Sequence, residues 1–148
     1  MKIFIYIILL FIQSINETHT CKVVRVIDGD TIVVLFGKKQ ERIRLLDIDA
    51  PEKGQDFSEK SRLFLSEMIS GKLVTVEFKE RDIYGRILAF IYVNDINVNA
   101  EMVRSGLAWK YRFSKNKEFE KLQDEAKAKK LNIFSVKNPV EPYLYRKK

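Results

Sequence analysis

The 148-residue sequence has one histidine, His19, and one cysteine, Cys21. A lone cysteine forms no intramolecular disulfide, and neither residue has a second His or Cys with which to build a metal cluster. Ser-His-Asp catalysis, Cys-His catalysis and a His/Cys zinc site are all but excluded. Catalysis by this chain has to use carboxylates, Arg, Lys, Tyr or hydroxyls. A bound metal has to be held by oxygen, which favours a hard cation such as Ca²⁺ and leaves Mg²⁺ open.

Proline and glycine are also scarce, at 3 and 6 residues. No Pro/Gly/Ser-rich linker, repeat or low-complexity block divides the chain after Cys21. With 46% hydrophobic and 32% charged residues, the chain reads as one domain able to bury a core without disulfides. Negative charge is in the minority, 20 Asp+Glu against 27 Lys+Arg, and the net charge of +7 favours polyanionic partners.

The sequence also lacks an apolar run long enough to span a membrane. Lys2 precedes ten apolar residues, Ile3 through Ile12, where a spanning helix needs roughly 20. A positive charge before a short apolar stretch reads as a secretory signal. Residues 1–20 are therefore expected to be a signal peptide, with cleavage before Cys21 and residues 21–148 as the mature domain. The expected destination is secreted or periplasmic. The alternative is an uncleaved N-terminal anchor that leaves the protein on a membrane.

In the mature chain, strands come first and helices later. Residues 22–27 and 31–36 are rich in β-branched side chains, with the turn Asp28-Gly29-Asp30 between them. Residues 41–46 alternate into a third strand, and the three predict an antiparallel meander. A polar loop follows, with Pro51 and Gly54. Ser58 is expected to cap a helix running to about Ser70, with Leu63, Phe64, Met68 and Ile69 on its apolar face. Residues 73–78 and 86–93 predict two more strands. A short helix over 99–105 and a last helix over 117–130 follow, the latter with Phe119, Leu122 and Ala126 inward. Five short strands with a helix inserted after the third suggest an α+β fold: a small closed barrel of the oligonucleotide-binding (OB) kind, carrying three helices.

Four segments carry possible chemistry: Asp28-Gly29-Asp30-Thr31; Arg44 through Glu52; Asp82-Ile83-Tyr84-Gly85-Arg86; and Trp109-Lys110-Tyr111-Arg112-Phe113. Each has a plain structural explanation, as a turn, a solvated loop or core aromatics. Together they hold what phosphodiester hydrolysis asks for. A hard cation neutralises phosphate. Arginines fork onto phosphoryl oxygens and stay charged. A carboxylate takes the proton from attacking water.

These motifs, with Val26-Ile27-Asp28-Gly29-Asp30-Thr31, Asp49-Ala50-Pro51-Glu52, Val103-Arg104-Ser105-Gly106-Leu107-Ala108 and the segment Ala126 to Phe134, resemble the staphylococcal nuclease (thermonuclease) family in order and spacing. The resemblance runs from about Lys22 to Phe134. It implies an OB-fold barrel and a secreted, metal-dependent nuclease acting on DNA, RNA or both. It implies Glu52 as general base, with Arg44 and Arg86 stabilising the phosphoryl transition state. One Ca²⁺ would be held by the carboxylates of Asp30 and Asp49 and the Ala50 carbonyl, with Asp28 a further acid beside them. Tyr84 and Tyr111 would contact the nucleotide. No stable protein partner is implied, and a monomer is expected. Ala50 and Ile83 stand where the best-known member has threonine and lysine, and the loop after Glu52 is shorter, so the substrate rim departs from the family pattern. Two other readings stay open. One is a non-catalytic OB module that only binds nucleic acid through its charge and aromatics. The other is a membrane-surface protein using the leader and the basic end Arg146-Lys147-Lys148.

Overall fold

Alternation along the chain builds the barrel. The computed structural model describes residues 17–148. The apolar stretch of the leader lies outside the described residues. Strands β1 (Glu17–Asp28), β2 (Thr31–Phe36) and β3 (Lys39–Leu45) form the expected antiparallel meander. After the short β4 (Ile48–Asp49) and helix α1 (Ser58–Ile69), strand β5 (Leu73–Arg81) pairs back onto β1, and β6 (Ile87–Val93) pairs with β5. Strand β6 then meets β3 in parallel, Ile43 opposite Ile87 and Leu45 opposite Ala89, which closes a five-stranded OB barrel. Closure leaves no open edge among these strands. Residues Glu17–Thr20, which the leader reading assigns to the signal segment, continue β1 and pair with Phe78 to Thr75 of β5.

Period-two side chains fill the interior. Ile43 and Leu45 of β3, and Ile87, Ala89 and Ile91 of β6, point inward and are buried, while Arg44, Arg86 and Leu88 fall on the outer face. Val23, Ile32, Val34, Val74 and Val76 complete the inner layer. Helix α2 (Val98–Arg104) and helix α3 (Lys117–Ala128) pack Met102, Val103, Phe119 and Leu122 into the same core. The side chains of Asn97 and Asn116 cap these two helices, accepting from the amides of Ala100 and Phe119. Phe119, Leu122 and Ala126 are inward, as the 3.6-residue period predicts.

Helix α1 departs from expectation at both levels. Ser58 is its first helical residue, and the cap position belongs to Phe57, which has φ 66° and no side-chain capping bond. The buried face is Ser61, Leu65 and Ile69, with Phe64 and Met68 partly buried, and Leu63 points to solvent. The phase is set by Ser61, which is fully buried and donates to the Leu107 carbonyl at 2.7 Å. Gly29 lies against this helix: a Cβ there would overlap Ser61 Oγ. Close approach, rather than a left-handed backbone, is what demands glycine in the Asp28-Gly29-Asp30 turn.

Three short elements complete the chain. Strand β7 (Ile96–Asn97) extends the sheet beside β6, and β8 (Trp109–Lys110) pairs with β4. A 3₁₀ turn, Asn132–Ser135, then leads to a fourth, one-turn helix, α4 (Pro142–Tyr145). The sequence reading has no counterpart for α4. Among the described residues, no helix is long and apolar enough to cross a membrane.

Candidate active site

Barrel closure places the two arginines. Arg44 on β3 is opposite Thr31 of β2 on one side and Leu88 of β6 on the other. Arg86 lies two residues before Leu88, hence on the same face. Asp30 precedes Thr31 at the start of β2. Sheet register alone thus gathers Asp30, Thr31, Arg44 and Arg86 at one rim. They line a cleft of about 630 Å³ together with Asp28, Glu52, Tyr84, Tyr111, Tyr143 and Arg146.

Arg44 is the hub. Its side chain is only 16% exposed. One terminal nitrogen donates to the carbonyls of Leu45 and Ile48 at 2.8 Å each. The other lies 3.3 Å from both Asp30 Oδ2 and Asp49 Oδ1. Two buried carboxylates therefore converge on a single guanidinium nitrogen. Asp30 also accepts from Thr31 Oγ1 at 2.9 Å and from the Ala50 amide at 2.7 Å, which sets the Ala50 peptide against that carboxylate.

The Arg44–Glu52 segment is held from behind. Asn99 is fully buried, donates to the Leu46 and Ala89 carbonyls, and accepts from the Ile91 amide. Asp49 pairs with Trp109 across β4 and β8, and the Tyr111 amide donates to the Asp47 carbonyl at 2.8 Å. Glu52 begins a turn in which its amide donates to Gln55 Oε1 at 3.0 Å.

Arg86 is aimed by the turn before it. Asp82 accepts from the amides of Tyr84 and Arg86 with one oxygen, and from Arg86 Nε at 2.7 Å with the other. Burial opposes the charged form of Asp82, but the Arg86 bonds outweigh it and hold the carboxyl below its ordinary range. The Arg86 guanidinium sits over the Tyr84 ring at 5.5 Å, and Tyr84 itself is 78% exposed at the rim.

The acids crowd one another. Burial, and then repulsion from Asp30, pushes the Asp28 carboxyl from 3.8 up to about 7. Burial also pushes Asp49 up, against the opposing pull of Arg146 and Arg44. A folded-state value above the unfolded one means that stability from Asp28 is full below 3.8 and is lost as pH rises through about 7. Asp28→Asn keeps an acceptor for the Asp30 amide and removes the titration. With chelator present, thermal unfolding midpoints of the wild type should fall relative to Asp28→Asn from about pH 4 to about pH 8. Parallel curves would refute the raised value.

Asp28, Asp30, Arg44, Glu52, Tyr84, Arg86 and Tyr111 line this one cleft, and Asp49 and Ala50 are buried beside it. The aromatic stretch divides. Tyr111 lines the cleft, Phe113 is 61% exposed and stacks edge-on against Tyr111 and Tyr143, and Trp109 packs on Phe134 in a separate small core. Three contributors went unread. Asp82 looked like a turn residue, although its carboxylate fixes Arg86. Asn99 counts in sequence only as part of the motif Asn97-Val98-Asn99 within the family resemblance, with no role attached to it. Arg146, which bonds both Asp49 and Glu52, lies beyond the motifs.

The donor chemistry fits a hard cation. Asp30 and Asp49 offer oxygen within reach of one point, and neither His19 nor Cys21 lines the cleft. Among the described residues, no three His, Cys, Asp or Glu side chains form a metal-holding group. A cation here would accordingly rest on two carboxylates, backbone and water.

Comparison with known proteins shows the same family. The family model described as staphylococcal nuclease homologue matches residues 42–136. An Escherichia coli protein named as an uncharacterized endonuclease is 46% identical over 127 residues, covering 84% of this chain and 83% of the relative. Protein ParB of Escherichia coli is 44% identical over 138 residues, covering 85% and 78%. A micrococcal nuclease of Shigella flexneri is 39% identical over 141 residues, covering 85% and 79%.

Proposed function

The chain belongs to the staphylococcal nuclease family, and from that premise we propose that it is a metal-dependent nuclease hydrolysing phosphodiester bonds in DNA, RNA or both. One observation carries the reading: Arg44, Arg86, Glu52 and the converging carboxylates of Asp30 and Asp49 meet in one cleft. That is a set of fixed cations, a base and cation ligands around a space for phosphate.

Asp30, Asp49 and the Ala50 carbonyl would hold the ion, Ca²⁺ by ligand type with Mg²⁺ sharing the same preference. When bound, the ion supplies positive charge that neutralises the phosphate. Arg44 from β3 and Arg86 from the turn leading into β6 would face the phosphoryl group, and their forks match the charge that develops on its oxygens. Glu52, on the loop across the cleft, takes the proton of the attacking water. Asp28 stands beside the cation ligands as a further acid, whose charged form a bound cation would favour. Tyr84 and Tyr111 offer ring surface to the nucleotide at the rim.

The leader assigns the working protein to the outside of the cytoplasm, secreted or periplasmic, with a membrane-anchored form if residues 1–20 are retained. Fractionation with N-terminal sequencing of the mature protein distinguishes these. The chain is expected to act as a monomer.

A binding-only module is the second reading, favoured by the exposed Tyr84 and the +7 charge. Glu52→Gln separates the two. As a general base, Glu52 should contribute about 10²–10⁴-fold to the cleavage rate. The variant should lose that factor while retaining nucleic-acid affinity in a gel-shift titration. Undiminished cleavage would remove Glu52 from the chemistry, and absence of cleavage in the wild type would favour the binding module.

A further inference from the structure

Arg146 enters the site from the far end of the chain. Its two terminal nitrogens bond Asp49 Oδ1 and Oδ2 at 3.0 Å each, and one of them also bonds Glu52 Oε1 at 2.6 Å. Asp49 is almost wholly buried, whereas the Arg146 side chain is 38% exposed. The contact is thus an arm reaching inward from solvent onto a buried carboxylate. The two carboxylates in turn push the guanidinium further towards its charged form.

The arm is seated. Helix α4 holds Pro142 buried, and Glu141 before it forks onto Arg112, with contacts down to 2.6 Å. Tyr143 packs edge-on against Phe113 and carries Arg112 and Lys147 near its ring, at 4.6 and 4.5 Å. Gln55 donates to the Val140 carbonyl at 2.5 Å. The anchoring partners are Gln55, Arg112 and Phe113, on the two loops that carry Glu52 and Tyr111.

We propose that Arg146 is a latch that covers the Asp49 and Glu52 side of the cation site, so that a divalent cation binds only by displacing it from these two carboxylates. This rests on the reading of Asp49 as a cation ligand given above. Exclusion follows from geometry. Oxygen ligands hold Ca²⁺ at roughly 2.3–2.6 Å. Both oxygens of Asp49 are already engaged by Arg146, and Oδ1 also by Arg44. With Arg44 already on Oδ1, the closed Arg146 leaves neither oxygen free for a divalent ion, and its added charge would repel that ion inside a poorly solvated floor. The bond to Glu52 ties the proposed base with the same residue, so the closed latch withholds ligand and base together. Opening at the end of the chain costs little elsewhere, because Arg146, Lys147 and Lys148 are exposed beyond the anchored turn.

A latch closed about nine-tenths of the time lowers apparent cation affinity about tenfold. Titration calorimetry with Ca²⁺ alone should therefore show Arg146→Ala binding about tenfold more tightly than the wild type. Lys148→Ala removes one positive charge from the same segment without touching these contacts, and should change affinity less than about twofold. Amide hydrogen exchange across residues 141–148 of the wild type should quicken on saturation with Ca²⁺. Unchanged or weaker binding by Arg146→Ala overturns the latch. So does an equal gain in Lys148→Ala, or exchange indifferent to Ca²⁺. Asp49→Asn separates the two levels of the argument. Loss of Ca²⁺ binding there, with Arg146→Ala unchanged, sinks the latch alone. Full Ca²⁺ binding by Asp49→Asn sinks the ligand reading beneath it.

Discussion

Arg44→Ala should lower cleavage about 10³-fold and weaken the fold in the same stroke. Arg44 neutralises Asp30 and Asp49, which are 7% and 1% exposed, and ties down the Leu45 and Ile48 carbonyls. Removing one partner of a buried ionic set leaves the other charges uncompensated, at a cost of about 3–5 kcal/mol. That is a large share of the stability of a domain, typically about 5–15 kcal/mol. Denaturant unfolding in chelator should record this loss. Arg146 remains beside Asp49 and offsets part of it, so the lower half of the range is expected. Ca²⁺ should restore some stability, because the freed carboxylates gain a cation that binds the folded state alone. Cleavage should stay about 10³-fold down even where the variant is folded, since a fixed donor to the phosphoryl group is missing. Stability unchanged within about 0.5 kcal/mol would mean that Arg44 does not hold the acids together.

Arg86→Lys should give the opposite profile: intact fold, disabled chemistry. Arg86 is partly exposed, and its strongest partner, Asp82, is four residues away in the same turn. Such pairs contribute about 0–1 kcal/mol, and lysine keeps the charge. What lysine lacks is the planar fork that Asp82 holds in place through Nε while leaving the terminal nitrogens for phosphate. A loss of about 10²–10³-fold is expected, falling on kcat and kcat/KM alike, as for an interaction made in the transition state. A variant that raised KM with kcat untouched would assign Arg86 to substrate binding only. Arg44 in β3 and Arg86 just before β6 share one rim, yet one change should weaken the fold and the other should not. The difference lies in burial and in the company each keeps.

The barrel was legible where alternation was clean. Strand β6 reads inward at Ile87, Ala89 and Ile91, and that pattern forces Arg86 and Leu88 outward. Helix α3 was equally plain, because Phe119, Leu122 and Ala126 fall on one stripe over a lysine-covered surface. Helix α1 misled for a physical reason. Its buried face includes a serine, satisfied by the Leu107 carbonyl 46 residues away, and hydrophobicity alone cannot register such a position. Leu63 looked inward and is exposed, while Leu65 is fully buried.

The site shows the same division. Motif spacing drew attention to Arg44, Glu52 and Arg86, and family resemblance supplied their proposed roles. Spacing could not foresee that β3 and β6 would pair in parallel, which is what brings the arginines to one rim. Asp82 and Asn99 act through hydrogen bonds to particular atoms, and their letters in the sequence look like turn and cap residues. Arg146 lies 94 residues from Glu52 and 97 from Asp49. An ion pair at that separation leaves no periodic trace, and the basic end of the chain supported only the membrane-surface reading. Its place in the cleft comes from α4, a single turn that Pro142 starts and Tyr143 seats.

The central claim is tested most directly by incubating the purified protein with single-stranded DNA, duplex DNA and RNA, each with Ca²⁺, with Mg²⁺ and with chelator. Hydrolysis of at least one polymer is expected with a divalent cation, and none with chelator. Cleavage undiminished by chelator would contradict the cation site at Asp30 and Asp49. Failure to cut any of the three under every condition would contradict the nuclease reading itself.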